Sequence, residues 1–96
     1  MDNANAAMRR AILETIRDAV PAPVDIERLG RALRLLGYRL EPKALLVELA
    51  QLEALGYLVN LKHASDPVYK GVTGAAVAQL DMSKGLDPAL WGDMAL

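Results

Sequence analysis

Residues 49–58 read LAQLEALGYL, and this stretch decides how the chain is organised. Leu49 and Leu52 are three residues apart, which places both on one face of a helix. Gly56 follows at a position where helices often end in a residue of positive φ, a conformation that glycine adopts without steric cost. Leu58 then begins an alternating pattern typical of a strand. The stretch therefore predicts a buried helix joined by a glycine turn to a strand that starts inside the core.

The first helix is predicted within residues 1–24. Its apolar residues recur at spacings of three and four, including Met8, Ile12 and Ile16, and so share one face. Arg9 and other charged residues fall mostly on the opposite face. A pair of prolines then ends the helix, because proline fixes φ and has no N–H to donate.

Two further helices are predicted before the glycine turn. Asp25 is a typical N-cap for the second, over about 25–36, with Gly37 just past its end. Proline favours the first helical position, so Pro42 begins the third helix, 42–55. The residues expected to face the core from these two helices are Ile26, Leu29, Leu33, Leu36, Leu45, Leu46, Leu49, Leu52 and Leu55.

A β-hairpin is predicted after the third helix. Residues 57–63 and 68–72 have the composition of strands, and the residues between them are typical of a turn. Thr73 is a second candidate N-cap, for a helix over about 74–82. Asp87, followed by a proline, starts a short terminal helix in the same way.

Composition sets limits on function. The chain has 96 residues, of which 53% are hydrophobic, so we expect one packed unit rather than a disordered chain. The net charge of -1 provides no overall positive field, and any contact with nucleic acid must depend on a local patch. The chain has no cysteine and one histidine, which excludes disulfides, thiolate metal sites and two-histidine sites.

No membrane segment is expected. The uncharged run 71–80 is far shorter than the ~20 apolar residues that a span needs. The first ten residues also lack the basic-then-apolar order of a signal peptide. We therefore expect a cytoplasmic protein.

The end of the chain is expected to differ from the rest. Residues 1–82 are predicted to form the domain, and 83–96 a tail with a short helix. Leu90, Trp91 and Met94 in this tail either pack on the first helix or bury against a second copy. Surplus apolar surface on a small domain often marks an interface, so the sequence favours a homodimer through the apolar terminal helices.

The order of three helices, a hairpin and a further helix is that of winged helix-turn-helix domains. The 49–58 junction is similar to the L-x-x-L-E-x-x-G-[LY]-[LIV] motif that ends a winged-helix recognition helix. Val72-Thr73-Gly74 resembles the second wing strand running into a capped helix in bacterial regulators of the MarR, PadR and ArsR type. Ala76 stands where a later glycine is usual. The whole arrangement looks most like the small winged-helix proteins of Mu-like prophages, and the likeness covers about residues 8–82.

The resemblance implies a mainly α fold with a small β-hairpin: a three-helix core, a two-stranded wing and C-terminal helices. It also implies a transcriptional regulator that binds double-stranded DNA, with helix 42–55 in the major groove and hairpin 57–72 as the wing. Residues 25–43 carry five cations against three acids, which is the most basic part of the chain. The candidate DNA contacts are Arg28, Arg31, Arg34, Arg39, Lys43, Val47, Gln51, Lys62 and Lys70.

Two acidic residues argue against this interpretation. Glu41 and Glu48 are expected near the solvent face of the third helix, where they would repel phosphates, and this helix contains no arginine. The alternative is a winged helix used for protein contact, as a phage accessory or assembly factor. A catalytic role is not expected, because the chain has neither a phosphate-binding loop nor a recognisable acid–His–Ser set. We therefore predict no enzyme activity, cofactor or metal.

Overall fold

The computed structural model describes residues 3–61, 67–83 and 85–95. In this part of the chain the structure is mainly helical, with a small antiparallel sheet of three strands. The elements, in chain order, are α1 Asn3–Ala19, β1 Val24–Asp25, α2 Ile26–Leu35, α3 Pro42–Ala54, β2 Leu58–Asn60, β3 Val68–Val72, α4 Gly74–Leu80, α5 Pro88–Trp91 and a 3₁₀ turn Gly92–Ala95.

Three predicted helix starts are confirmed by their caps. The Asp25 carboxylate accepts from the backbone N–H of Arg28 at 2.8 Å. The Thr73 hydroxyl and the Asp87 carboxylate accept in the same way from N–H groups two or three residues later, at 3.3 and 2.9 Å. Each cap satisfies a donor that the first turn of a helix leaves without an intrahelical partner.

The glycine turn after α3 has the predicted geometry. Gly56 has φ +83° and Gly37, after α2, has φ +96°. The N–H of Tyr57 donates to the carbonyl of Leu52 at 3.0 Å, which is the long bond of a Schellman motif. The Thr73 hydroxyl donates to the carbonyl of Gly56 at 2.6 Å, so the start of α4 is held against this turn.

The sheet differs from the predicted two-stranded hairpin, because a third strand joins it. Its order is β1-β3-β2, with Val24 opposite Tyr69 and Leu58 opposite Val72. The prediction missed β1 because it consists of two residues, Val24 and the helix cap Asp25, which are too few to carry a periodic signal. Strand β2 is also shorter than the predicted 57–63, and 62–66 lie outside the described residues.

One core joins α1, α2, α3, β3 and α5. Leu49, Leu52 and Leu90 have no exposed surface. Two predicted core residues are instead exposed, Leu36 by 60% and Leu55 by 43%. Both are C-cap residues, where the chain leaves the helix axis, so their side chains depart from the buried stripe.

The C-terminal segment packs on α1. The Arg10 guanidinium donates to the carbonyl of Leu90 at 2.8 Å and lies 4.4 Å from the centre of the Trp91 ring. Met94, by contrast, is 60% exposed. The sequence left two possibilities for this segment, packing on the first helix or burial against a second copy. Leu90 packs on the first helix.

Asp87 ties this segment to the rest of the molecule. Its carboxylate accepts from the Tyr57 hydroxyl at 2.5 Å, and its N–H donates to the Gln79 side-chain carbonyl at 2.8 Å. The Gln79 amide nitrogen in turn donates to the carbonyl of Gly85 at 2.7 Å. Burial, with a contribution from the Asp87 hydrogen bond, raises the pKa of the Tyr57 hydroxyl above its usual range.

Candidate nucleic-acid interface

The arginines of α2 are all exposed, and two of them face α3. Arg31 and Arg34 line a groove of about 470 Å³ between α2 and the first turn of α3. Arg34 also lines an adjoining groove of about 300 Å³, together with Arg39 from the loop that follows α2. Arg28 does not line either groove, because it lies further round the helix. The structure thus brings together three of the four predicted arginines.

The two grooves also contain acidic side chains. Glu27 lines the first and Glu41 the second. Three guanidinium groups against two carboxylates leave a small positive excess, which exposed Lys43 extends into the first turn of α3. Apolar residues, among them Leu40, form the floor of both grooves beneath these charged side chains.

Helix α3 presents a single coherent solvent face. Lys43, Val47 and Gln51 follow one another at intervals of four residues, which makes them a row along the helix. Val47, in the middle, is 66% exposed. Apart from Pro42 at its first position, the other exposed residues of α3 lie within the same arc of about 120°. We call this surface the α3 arc; it consists of Lys43, Ala44, Val47, Ala50, Gln51 and Ala54.

The predicted position of Glu48 on this face is wrong. Its carboxylate accepts from the Arg9 guanidinium at 2.7 Å, and the two side chains are only 16% and 17% exposed. Arg9 also donates to the carbonyl of Ala89 at 3.1 Å, so it connects α3 to α5. The sequence carries no signal for this pair, because its members are 39 residues apart.

The second glutamate of α3 is also turned from the arc. Glu53 is half-buried and accepts from the Asn60 side-chain amide at 3.3 Å. Burial, and then the charge of Glu53, raise the pKa of Tyr69 to about 12. Within α3, which the structure describes in full, no carboxylate is exposed; Glu41 remains exposed just before it.

The predicted wing contacts lie apart from this region. Lys70 is exposed on β3 and lines a separate groove of about 420 Å³ with Arg17, Val20 and Val59. Lys62 lies outside the described residues. The structure therefore assembles the α2 and α3 candidates on neighbouring surfaces, with Lys70 in a different groove.

Comparison of the sequence with protein-family models and with curated proteins identifies no relative. The chain matches no protein-family model, and no curated protein is detectably similar to it in sequence. In the described ranges, no helix is both long and apolar enough to span a membrane. The same residues contain no cluster of three or more acidic or histidine side chains suited to hold a metal ion.

Proposed function

We propose that the chain is a winged helix-turn-helix protein that binds double-stranded DNA and acts as a transcriptional regulator. Helix α3 lies in the major groove, and the β2–β3 hairpin forms the wing. The element order supports the fold: three helices precede an antiparallel hairpin, and β1 joins the sheet beside β3 at the base of α2.

One observation carries the proposal. The α3 arc exposes the cation of Lys43 and the amide of Gln51 to solvent. It exposes no carboxylate, because Glu48 is paired with Arg9. Arg31, Arg34 and Arg39 line the α2 grooves, which reach the first turn of α3 at Pro42. The repulsion that the sequence predicts between α3 and phosphates is thereby reduced to Glu41. Such an arrangement suits a helix that enters a groove while neighbouring cations hold the backbone.

The expected affinity is modest and depends on salt. Each phosphate neutralised adds about 0.9 to the slope of log affinity against log salt. Arg31, Arg34, Arg39 and Lys43 together therefore predict a slope of roughly -3 to -4. A protein with an overall charge of -1 gains little beyond these local contacts.

The test is binding of a mixed-sequence duplex as salt is raised. Arg31→Ala, Arg34→Ala and Lys43→Ala each lower the affinity and reduce the slope by about 1. Arg17→Ala is the matched control, because its guanidinium already faces the carboxylates of Asp18 and Asp81 at 3.5 and 4.0 Å. Absence of binding by folded protein at about 50 mM salt would contradict the proposal.

A second candidate function is protein contact through the α3 arc. The observation that favours it is that Val47, at the centre of the arc, is 66% exposed. Leu35 and Leu36 at the end of α2 are also exposed, by 90% and 60%, and Leu36 lines a separate groove with α1. Exposed apolar side chains of this size often mark protein interfaces. This candidate is supported if the folded protein does not bind DNA, and if Val47→Glu abolishes its binding to a partner protein.

The C-terminal segment exposes less apolar surface for a homodimer contact than the sequence predicts. Leu90 is buried against α1 and Trp91 is half-buried, which leaves Met94 as the exposed large apolar residue of that segment's described part. Sedimentation over a range of concentrations tests the dimer, and Met94→Glu shifts the protein to monomer if this segment forms the contact.

A further inference from the structure

The chemistry of the α3 arc is unusual for a helix placed in a major groove. Arginine to guanine is the commonest specific contact in such complexes, and α3 contains no arginine. Its arc is formed by alanines and valine, with Lys43 at one end and Gln51 towards the other. We propose that the arc reads A·T base pairs, through thymine methyl groups and adenine edges. This inference rests on the proposed function and adds a preferred class of target to it.

Val47 is placed to meet a thymine methyl. It lies at the centre of the arc and is 66% exposed, so its methyl groups face the surroundings in the free protein. Among the base edges of the major groove, the C5 methyl of thymine is the apolar group. Ala44, Ala50 and Ala54 have small side chains, which lets the helix axis come close to the base edges. Contact between the valine and a thymine methyl removes apolar surface of both from water.

Gln51 adds an adenine contact at a fitting distance. It is exposed one turn after Val47, about 6 Å further along the helix axis. Base pairs are about 3.4 Å apart, so these two side chains reach positions roughly two base pairs from each other. A glutamine side chain pairs with the N6 and N7 atoms of adenine by two hydrogen bonds.

The same arc is poor in groups that read G·C pairs. A carboxylate that accepts from the cytosine amino group would be Glu48, and Arg9 holds it at 2.7 Å. Lys43 is the one side chain of the arc that pairs with guanine, and it also serves as a phosphate contact. Discrimination therefore favours A·T pairs over G·C pairs.

Replacement of thymine by deoxyuracil tests the inference directly, because it removes the methyl group and leaves base pairing intact. We expect the deoxyuracil duplex to bind about fourfold more weakly for each methyl group contacted. An A·T-rich duplex is also expected to bind more tightly than a G·C-rich duplex of equal length and charge.

Two variants separate base reading from phosphate contact. Val47→Ala lowers the ratio of thymine to deoxyuracil affinities towards one, and it leaves the fold intact because the side chain is exposed. Arg31→Ala, which removes a proposed phosphate contact, weakens binding to both duplexes equally and leaves the ratio unchanged.

The outcomes distinguish the two proposals. If folded protein binds no duplex at low salt, the proposed DNA-binding function fails and the inference fails with it. If binding is salt-dependent but equal for thymine and deoxyuracil, or tighter for G·C-rich DNA, the inference is overturned and the proposed function stands.

Discussion

At the scale of single residues, the guanidinium of Arg9 lies between a carboxylate of α3 and a carbonyl of α5. It donates to Glu48 at 2.7 Å and to Ala89 at 3.1 Å, with most of its side chain covered. A carboxylate in so covered a place requires a partner, since an unpaired buried charge is costly. The pair therefore both stabilises the packing of α1 on α3 and keeps a negative charge away from the α3 arc.

This pair leads to a prediction for Arg9→Met. Loss of the partner leaves Glu48 uncompensated, so the free energy of unfolding, measured with urea, falls by about 1–3 kcal/mol. DNA affinity also falls, because the carboxylate is free to turn towards the α3 arc. The double variant Arg9→Met/Glu48→Gln recovers DNA affinity. If the double variant binds no better than Arg9→Met alone, the role of the pair in shielding the arc is wrong.

The leucines of the glycine junction give a second prediction. Leu49→Ala and Leu52→Ala each lower the free energy of unfolding by roughly 2–5 kcal/mol, because both side chains are fully buried. Leu55→Ala is the matched control: it makes the same change one turn later on a side chain that is 43% exposed, and it costs less. Equal losses at all three positions would show that the inward face of α3 is assigned wrongly.

At the scale of elements, two glycines have opposite roles. Gly56 ends α3 with φ +83°, a conformation that side-chain-bearing residues rarely adopt. Gly30 lies within α2, and a Cβ built there meets nothing within 4 Å. The first glycine is required by the turn, whereas the second only weakens its helix.

Alanine substitution separates these roles. Gly56→Ala lowers the free energy of unfolding by about 1–2 kcal/mol through backbone strain. Gly30→Ala raises it by up to about 1 kcal/mol through helix propensity. Thermal and urea unfolding of both variants check the signs, and a stabilising Gly56→Ala would contradict the turn geometry.

The elements also show what the sequence predicts and what it does not. Caps such as Asp25 and Thr73, and the glycine turn at Gly56, involve neighbours within a few residues, so their local chemistry was sufficient to predict them. Strand β1 depends on pairing with β3, more than forty residues later, and two residues carry no pattern of their own. The burial of Glu48 depends on Arg9 in the same non-local way. The exposed cations of the candidate site could therefore be predicted from the sequence. The net charge of the α3 arc could not, because it depends on the pairing of Glu48 with Arg9.

At the scale of the whole molecule, two buried tyrosines make the free energy of unfolding depend on pH in the alkaline range. Burial raises the pKa of Tyr69 to about 12 and that of Tyr57 above its usual range. The ordinary tyrosine pKa in an unfolded chain is about 10. Because the folded-state values are higher, these groups stabilise the protein fully below pH of about 10, and that contribution is lost as pH rises through the folded-state values.

We therefore expect the free energy of unfolding to fall as pH rises above about 10. Urea unfolding at a series of pH values measures it, and Tyr57→Phe reduces the pH dependence because it removes one of the two groups. A free energy of unfolding that is flat or rising over this range would contradict the burial of both hydroxyls.

Nuclear magnetic resonance of isotope-labelled protein, titrated with a duplex at low salt, shows whether the face formed by α2 and α3 binds DNA. We predict that amide resonances shift in α2, in residues 36–41 and along the α3 arc, while those of α5 stay in place. DNA binding by this face is contradicted if no resonance shifts, or if the shifts lie in α5 and leave the α3 arc unchanged.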